Sequence, residues 1–166
     1  MVMHFGKFDN GDFQQGDKVT LIVDKDRRIE NAKLHSAGHL LDCAVTKMEI
    51  ENLEPTKGFH FPDGPYVEYK GTLENPADII PELEKIVNEV ISEDLHIEKQ
   101  DLSPEEAKKQ GVWAPEGKSA RIVNFAGFPN CGCGGTHVNS ASEIGKIIIR
   151  KIKSKKGVTK IAYSVE

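Results

Sequence analysis

Apolar residues recur at helical spacing in two long stretches, and each stretch predicts a helix. The first predicted helix covers residues 31–48, with Asn31 as its N-cap, and the second covers residues 75–95. A third, shorter helix is predicted to end at Gln110, because a capping box with proline at the first helical position begins at Ser103. The apolar positions are Leu34, Leu41, Ala44, Val45 and Met48 in the first helix, and Leu83, Ile86, Val87, Val90 and Ile91 in the second.

Shorter runs of β-branched and aromatic residues, bounded by turn residues, predict strands between these helices. The predicted strands cover residues 19–23, 66–69, 96–102 and 120–125, followed by a hairpin of residues 146–152 and 158–163. Residues 54–58 contain Pro55 and Gly58 and are expected to break the pattern. Because helices and strands do not alternate strictly, we predict an α+β fold in which an antiparallel sheet packs with helices. Residues 1–30 are predicted to be a β-rich segment too short to close its own core, and residues 31–166 the main domain.

Composition places the chain among ordinary globular proteins. It has 166 residues, of which 38% are hydrophobic and 29% are charged, and its net charge is −4. That charge excludes a polycation that binds nucleic acid indiscriminately, and no apolar run approaches the roughly 20 residues of a membrane span. Three cysteines without a signal-peptide pattern predict a reduced, cytoplasmic protein.

Charge is unevenly distributed along the chain. The region from Gly145 to Val165 has seven Lys and Arg residues and no acid. One interpretation is a patch that binds phosphates, and the other is a sheet edge protected by lysines. The candidate phosphate-binding residues are Arg150, Lys151, Lys153, Lys155 and Lys156.

Two short motifs about a hundred residues apart carry the candidate chemistry. His35 and His39 lie one turn apart on a predicted helix, so both imidazoles reach one ion. Cys133 and His137 are joined by Gly134, Gly135 and Thr136, and the two glycines favour a loop in which Cys133 and His137 converge. Three imidazoles and one thiolate are a full ligand set for zinc, and a zinc ion lowers the pKa of bound water enough to cleave esters.

Other serine, cysteine and histidine residues bear on this chemistry. Ser36 stands where a zinc metalloprotease motif needs glutamate, so the proton acceptor must be the metal hydroxide, another side chain or the substrate. Cys43 and Cys131 are interpreted as a small buried residue and a loop residue rather than as ligands. His60 either lines a pocket or lies on the surface, and His4 and His96 are structural or exposed.

These motifs resemble a known family. His35-Ser36-Ala37-Gly38-His39-Leu40-Leu41, Cys133-Gly134-Gly135-Thr136-His137-Val138 and Glu143-Ile144-Gly145-Lys146-Ile147 are similar to the editing domain of alanyl-tRNA synthetase and to the free-standing alanyl-tRNA editing proteins (the AlaX group). The related threonyl-tRNA synthetase domain usually has Arg-Gly-Pro between its second Cys and His, so Gly-Gly-Thr favours the alanyl branch. The resemblance covers residues 17–163, and residues 1–30 resemble the tail of the β-barrel that precedes this domain in longer members.

The resemblance implies trans-editing, in which the ester of a mischarged tRNA(Ala) is hydrolysed at the acceptor end without a nucleoside triphosphate. The substrate is typically seryl-tRNA(Ala) and sometimes the glycyl form. It implies that His35, His39, Cys133 and His137 bind zinc and act in catalysis through it, with either all four or only three of them as ligands. Thr56 aligns with a polar position of the amino-acid pocket that recognises a serine hydroxyl. Lys57, Gly58 and His60 lie beside it in sequence and are the other candidate substrate-binding residues.

Two other functions remain open at this point. The chain is alternatively a non-catalytic, zinc-stabilised tRNA-binding module related to alanyl-tRNA synthetase, or a zinc hydrolase for another small ester or amide. A ligase is excluded because the chain has no P-loop-like glycine motif and no room for a synthetase catalytic domain.

Overall fold

The computed structural model describes residue 3 and residues 5–50, 52–112, 116–125 and 127–166. Its helices are α1 (Lys25–Lys47), α2 (Ile80–Ser92) and α3 (Pro104–Lys109), and a 3₁₀ turn covers Ala141–Ile144. Its strands are β1 (Glu54–Phe59), β2 (Tyr66–Lys70), β3 (Ile97–Leu102), β4 (Ala120–Phe125), β5 (Cys131–Gly132), β6 (Ile147–Lys155) and β7 (Val158–Val165). The described part of the chain contains no helix long and apolar enough to cross a membrane.

The strands form two antiparallel sheets. The larger sheet has the order β1-β2-β7-β6, and the smaller has the order β3-β4-β5. Helices α1 and α2 pack against each other and against the larger sheet, and their apolar faces form one buried core with the sheet residues. The predicted α+β class with antiparallel sheets and packed helices is therefore confirmed.

Helix α1 begins six residues before its predicted start. Asp24 is the N-cap, because its side chain accepts a hydrogen bond from the Arg27 backbone N–H at 3.0 Å. Asn31, predicted as the cap, lies inside the helix. The predicted boundary between residues 30 and 31 falls within α1, and the assignment of residues 1–30 to a β-barrel remnant stays a prediction.

The second helix is shorter than predicted. It begins at Ile80 rather than at residue 75, with Pro81 in its first turn, where a missing backbone N–H costs nothing. It is followed by Asp94, whose φ of 49° is left-handed and cannot continue a helix. In contrast, the capping box of α3 forms as predicted, with Ser103 and Glu106 bonded to each other's backbone.

Two strand predictions were wrong. Residues 19–23 form no strand in the structure, and their large apolar side chains Val19, Leu21, Ile22 and Val23 are exposed. Residues 54–58, expected to break the pattern, lie in the edge strand β1, where Pro55 is tolerated because an outer strand leaves some N–H positions unpaired. The predicted hairpin is present, and its turn residues Lys156 and Gly157 both have positive φ.

Candidate metal centre

The structure brings the two motifs together. Helix α1 presents His35 and His39, and the loop that follows β5 presents Cys133 and His137. One ligand atom from each of these four side chains lies within 4.8 Å of the others, and Cys133 Sγ lies 3.4 Å from His35 Nε2. This arrangement suits the convergence of four ligands on one ion.

The backbone of the loop orients one imidazole. His35 Nδ1 lies 3.3 Å from the Thr136 carbonyl oxygen, so Nδ1 donates and Nε2 is left to face Cys133. Ser36, fully buried, accepts a hydrogen bond from the Val138 backbone N–H at 3.2 Å. The residue that replaces the metalloprotease glutamate therefore ties α1 to the loop.

The two glycines of the loop have different roles. A Cβ atom on Gly135 would collide with the His35 ring, whereas a Cβ on Gly134 would meet nothing within 4 Å. Neither glycine is among the described residues with positive φ. The glycines lie in a loop in which Cys133 and His137 converge, as the sequence predicts. Gly135 is needed because the His35 ring occupies the space that a side chain would take.

Sequence reasoning missed the residue that holds this loop. Arg121 on β4 donates from Nη1 to the carbonyl oxygens of Cys133, at 3.1 Å, and of Gly135. Its only sequence signal is a charged side chain inside the otherwise largely apolar run of residues 120–125. Burial is the main cause that lowers the pKa of His35 and His137, and the nearby Arg121 cation adds to it because it disfavours their protonation.

The imidazoles of the cluster are kept neutral by their surroundings. Burial, followed by the neighbouring histidines, lowers the pKa of His39 to about 3. Burial is also the main cause that lowers the pKa of His137 to about 4 and that of His35 below its usual value. Neutral imidazoles have the lone pairs that a metal needs.

Unpartnered nitrogen atoms supply the test of whether a metal fits here. His39 Nε2 and both ring nitrogens of His137 are buried and have no hydrogen-bond partner among the described residues. Buried polar atoms are normally satisfied, so orphaned nitrogens that converge with a thiol fit a bound cation. Three nitrogen donors and one sulfur donor are the chemistry that zinc prefers.

A polar cavity of about 320 Å³ opens beside this cluster. Its walls include His35, His39, Thr56 and His60. The register of the β1–β2 pairing shifts between Pro55 and Lys57, and Thr56 lies at this shift. Bulges of this kind are common next to binding sites. The Thr56 hydroxyl donates to the Glu68 carbonyl oxygen at 2.9 Å, so its remaining capacity is to accept a hydrogen bond. Lys57 and Gly58 line the same cavity.

Asp42 is a second residue that sequence reasoning missed. It lines the cavity, one helical turn beyond His39, and its Oδ1 accepts a hydrogen bond from the Tyr69 hydroxyl. No lysine, arginine or histidine forms a salt bridge with it in the described ranges, whereas Glu68 is paired with Lys57 at 3.3 Å and Lys160 at 3.7 Å. Burial raises the pKa of Asp42, since a buried carboxylate is costly without a cation.

His60 lies in the site rather than on the surface. Its Nδ1 is 2.7 Å from the Tyr163 hydroxyl, which in turn donates to the Leu34 carbonyl oxygen at 2.7 Å. Tyr163 therefore accepts from His60 Nδ1–H, and His60 keeps a lone pair on Nε2. Burial lowers the pKa of His60 to about 4, so this imidazole is neutral at pH 7. A Cβ atom on Gly38 would collide with the His60 ring, which explains the glycine within α1.

The remaining candidates lie outside the four-residue cluster. Cys43 is half-buried against the core and Cys131 is half-buried in β5, and both are free thiols. His96 is exposed and forms an isolated bridge with Ser140. His4 lies outside the described residues.

The five candidate phosphate-binding residues are all exposed on the β6–β7 hairpin. Strand β6 is an edge strand, and a register shift between Ile149 and Lys151 leaves Arg150 and Lys151 both facing outward. Side chains of α2 occupy the edge before this bulge, since Asn88 bonds both backbone groups of Ile147. The five Lys and Arg side chains therefore project from the part of the β6 edge and its turn that α2 does not cover. This position is compatible both with phosphate binding and with protection of the sheet edge.

The sequence of the chain is similar to parts of known tRNA synthetases. A family model described as "Threonyl and Alanyl tRNA synthetase second additional domain" matches residues 120–161. The chain is 34% identical to an alanine–tRNA ligase of Thermotoga maritima over 97% of its length, and 32% identical to that of Desulforamulus reducens over 87%. The chain is similar to the editing domain of alanyl-tRNA synthetase.

The matches differ in what they cover. The family model includes Cys133 and His137 but not helix α1, whereas the alanine–tRNA ligase of Petrotoga mobilis, 29% identical, aligns with 100% of the chain. The chain spans about a fifth of the length of the ligases it matches, since it covers 17%, 19% and 20% of the three named here.

Proposed function

We propose that the protein hydrolyses the ester bond of mischarged tRNA(Ala), with seryl-tRNA(Ala) as its preferred substrate. The observation that supports this function is the position of the His35–His39–Cys133–His137 cluster at the wall of a polar cavity, in a chain related to alanine–tRNA ligases. When bound, zinc supplies Lewis-acid polarisation of the ester carbonyl and acidification of water.

The side chains around the cavity define how the amino acid is held. Thr56, whose hydrogen is engaged by the Glu68 carbonyl, accepts a hydrogen bond from the serine hydroxyl, and alanine offers no such donor. Asp42 receives the α-ammonium group, because it is the unpaired carboxylate of the cavity. His60, neutral and fixed by Tyr163, presents Nε2 to accept a proton or a hydrogen bond.

The exposed cations of the β6–β7 hairpin bind phosphates of the tRNA acceptor end. Such contacts position a nucleic acid without reading its sequence. Arg150, Lys151, Lys153, Lys155 and Lys156 form this proposed patch.

One observation favours a second candidate function. Four protein side chains converge at this site, and four protein ligands would leave no position for water, which is typical of structural zinc sites rather than catalytic ones. The protein is then a zinc-stabilised tRNA-binding module without turnover.

A deacylation assay decides between the two functions. The zinc-loaded protein is expected to release serine from seryl-tRNA(Ala) far faster than the buffer does and to leave alanyl-tRNA(Ala) largely intact. Zinc content is measured on the same sample, and Cys133→Ala is expected to abolish release. His96→Gln, on an exposed residue outside the cluster, serves as the control. Tight tRNA binding with release at the rate of buffer alone establishes the binding module instead.

A further inference from the structure

A second cavity, of about 470 Å³, adjoins the metal centre. It shares His35, Gly58 and His60 with the polar cavity, so the two cavities meet at these residues. Its other walls are different in character, because they bring together aromatic rings, one cation and one amide. They include Phe59, Phe61, Arg28, Asn31 and the loop residues Gly134, Gly135 and Thr136.

The aromatic wall presents an exposed ring on a rigid support. Phe61 is 50% exposed, although large apolar side chains are normally buried. Its ring packs edge-on against Phe59 at 5.2 Å, and Phe59 in turn stacks on Tyr66 at 5.9 Å. A supported, half-exposed ring at a cavity wall is a platform on which a nucleobase stacks.

Two polar side chains of this cavity have no partner among the described residues. Asn31 Oδ1 is buried without a hydrogen-bond partner among the described residues, which costs free energy unless a ligand donates to it. Arg28 is exposed and forms no salt bridge in the described ranges, so its guanidinium is available to a phosphate. A ligand that fits this lining has an aromatic ring, an N–H or O–H donor and an anionic group.

We propose that this second cavity binds the 3′-terminal nucleoside of the tRNA, with its base on Phe61, a donor group on Asn31 and its 5′-phosphate on Arg28. This inference rests on the proposed function. The scissile ester joins an amino acid to the ribose of that nucleoside, so the substrate needs a compartment on each side of the bond. The two cavities meet at His35 and His60, which places the reacting bond beside the metal cluster.

Direct binding tests the cavity independently of catalysis. Adenosine 5′-monophosphate is titrated into the full, zinc-loaded chain and followed by NMR. We expect saturable binding with a Kd in the millimolar range. Phe61→Ala is expected to raise this Kd about fivefold or more, because about 1 kcal/mol is the lower end of the range for removing one stacking ring. Phe5→Ala removes a ring that is 88% exposed elsewhere in the chain and is expected to change nothing. Arg28→Ala is expected to weaken the monophosphate but not adenosine, and Lys108→Ala to affect neither. Equal affinity in Phe61→Ala and wild type, or no binding, overturns the inference.

A kinetic comparison then separates this inference from the proposed function. Phe61→Ala is expected to lower kcat/KM for 3′-O-seryl-adenosine about fivefold or more and to leave serine methyl ester hydrolysis within twofold, because only the first ester carries a nucleoside. Equal losses on both esters contradict a nucleoside contact. If the wild type cleaves neither ester nor seryl-tRNA(Ala), the proposed function fails, and the monophosphate titration still decides whether the cavity binds a nucleoside.

Discussion

At the scale of the residue, the missing side chain of Gly135 sets how closely the loop approaches His35. We expect Gly135→Ala to lower zinc affinity about 10–100-fold, the range for losing support of a metal ligand, because the added methyl group displaces the His35 ring. Competition with a chromophoric chelator measures the affinity. Gly134→Ala is the matched control, since its methyl group meets nothing within 4 Å, and equal losses in both variants would show that backbone freedom rather than space is decisive.

Asp42 provides a second prediction at this scale. Asp42→Asn keeps an oxygen that accepts the Tyr69 hydrogen bond but removes the negative charge. We expect kcat/KM for seryl-tRNA(Ala) to fall about tenfold or more, since a hydrogen bond to a charged group contributes roughly 1.5–3 kcal/mol. Thermal unfolding of the metal-loaded variant provides the control, because a fall in activity that follows a fall in Tm would indicate a purely structural role.

Residues differ in how much their sequence context reveals. The four cluster residues were predictable, because spacing of four on a helix and a short cysteine–histidine loop restrict where the ligand atoms lie. Arg121 and Asp42 were not, since a single charged residue in a strand or on a helix is usually solvated and only packing shows what it contacts. Thr56 came from the family resemblance and His60 from its position in a glycine-containing loop, and their roles stay predictions.

At the scale of the element, the β6–β7 hairpin includes an edge strand of the larger sheet, β6, and carries a cluster of lysine and arginine side chains. Lys153→Ala with Lys156→Ala is expected to weaken tRNA binding and to reduce the slope of log Kd against log salt by about 1–2, because two phosphate contacts are removed. Hydrolysis of seryl-adenosine is expected to stay unchanged, since it has no acceptor stem. Unchanged salt dependence together with new self-association would instead identify these lysines as protection of the sheet edge.

The boundaries of elements were less predictable than their presence. Strand β4 has its predicted bounds and the β6–β7 hairpin its predicted turn, because alternation and a Lys-Gly turn are local signals. Residues 19–23 carry an equally apolar run but have no partner strand within the described chain, and a strand needs a partner for its backbone groups. Strand β1 was missed because its pairing with β2 outweighs the local preference of Pro55 and Gly58.

At the scale of the whole molecule, the cluster of His35, His39, Cys133 and His137 joins α1 to the loop after β5, two segments about a hundred residues apart in the chain. Removing zinc with a chelator is expected to lower the free energy of unfolding, because a ligand that binds only the folded state stabilises it by mass action. Urea unfolding with and without chelator measures the loss. Cys133→Ala is expected to be insensitive to the chelator, and equal sensitivity in both proteins would place the stabilising metal elsewhere.

The stability of the metal-free protein is expected to depend on pH. Unfolded histidines have a pKa near 6.5, whereas His39 titrates at about 3 and His60 and His137 at about 4 when folded. Between pH 6.5 and 4 the unfolded chain binds more protons than the folded chain, so the free energy of unfolding falls as the pH decreases through this range. Above pH 6.5 these histidines do not change the free energy of unfolding with pH. Urea titrations of the metal-free chain at several pH values check this, and His60→Gln is expected to flatten the dependence. A matching flattening in His96→Gln would contradict the assignment to the cluster.

The burial of two of the three thiols has a practical consequence. Burial raises the pKa of Cys43 to about 12 and also raises that of Cys131, so neither supplies much thiolate, the form that iodoacetamide alkylates. Zinc, where bound, occupies the sulfur of Cys133. After brief alkylation of the native protein, the fraction of molecules that gain the mass of one carboxamidomethyl group therefore equals the fraction that lacks metal.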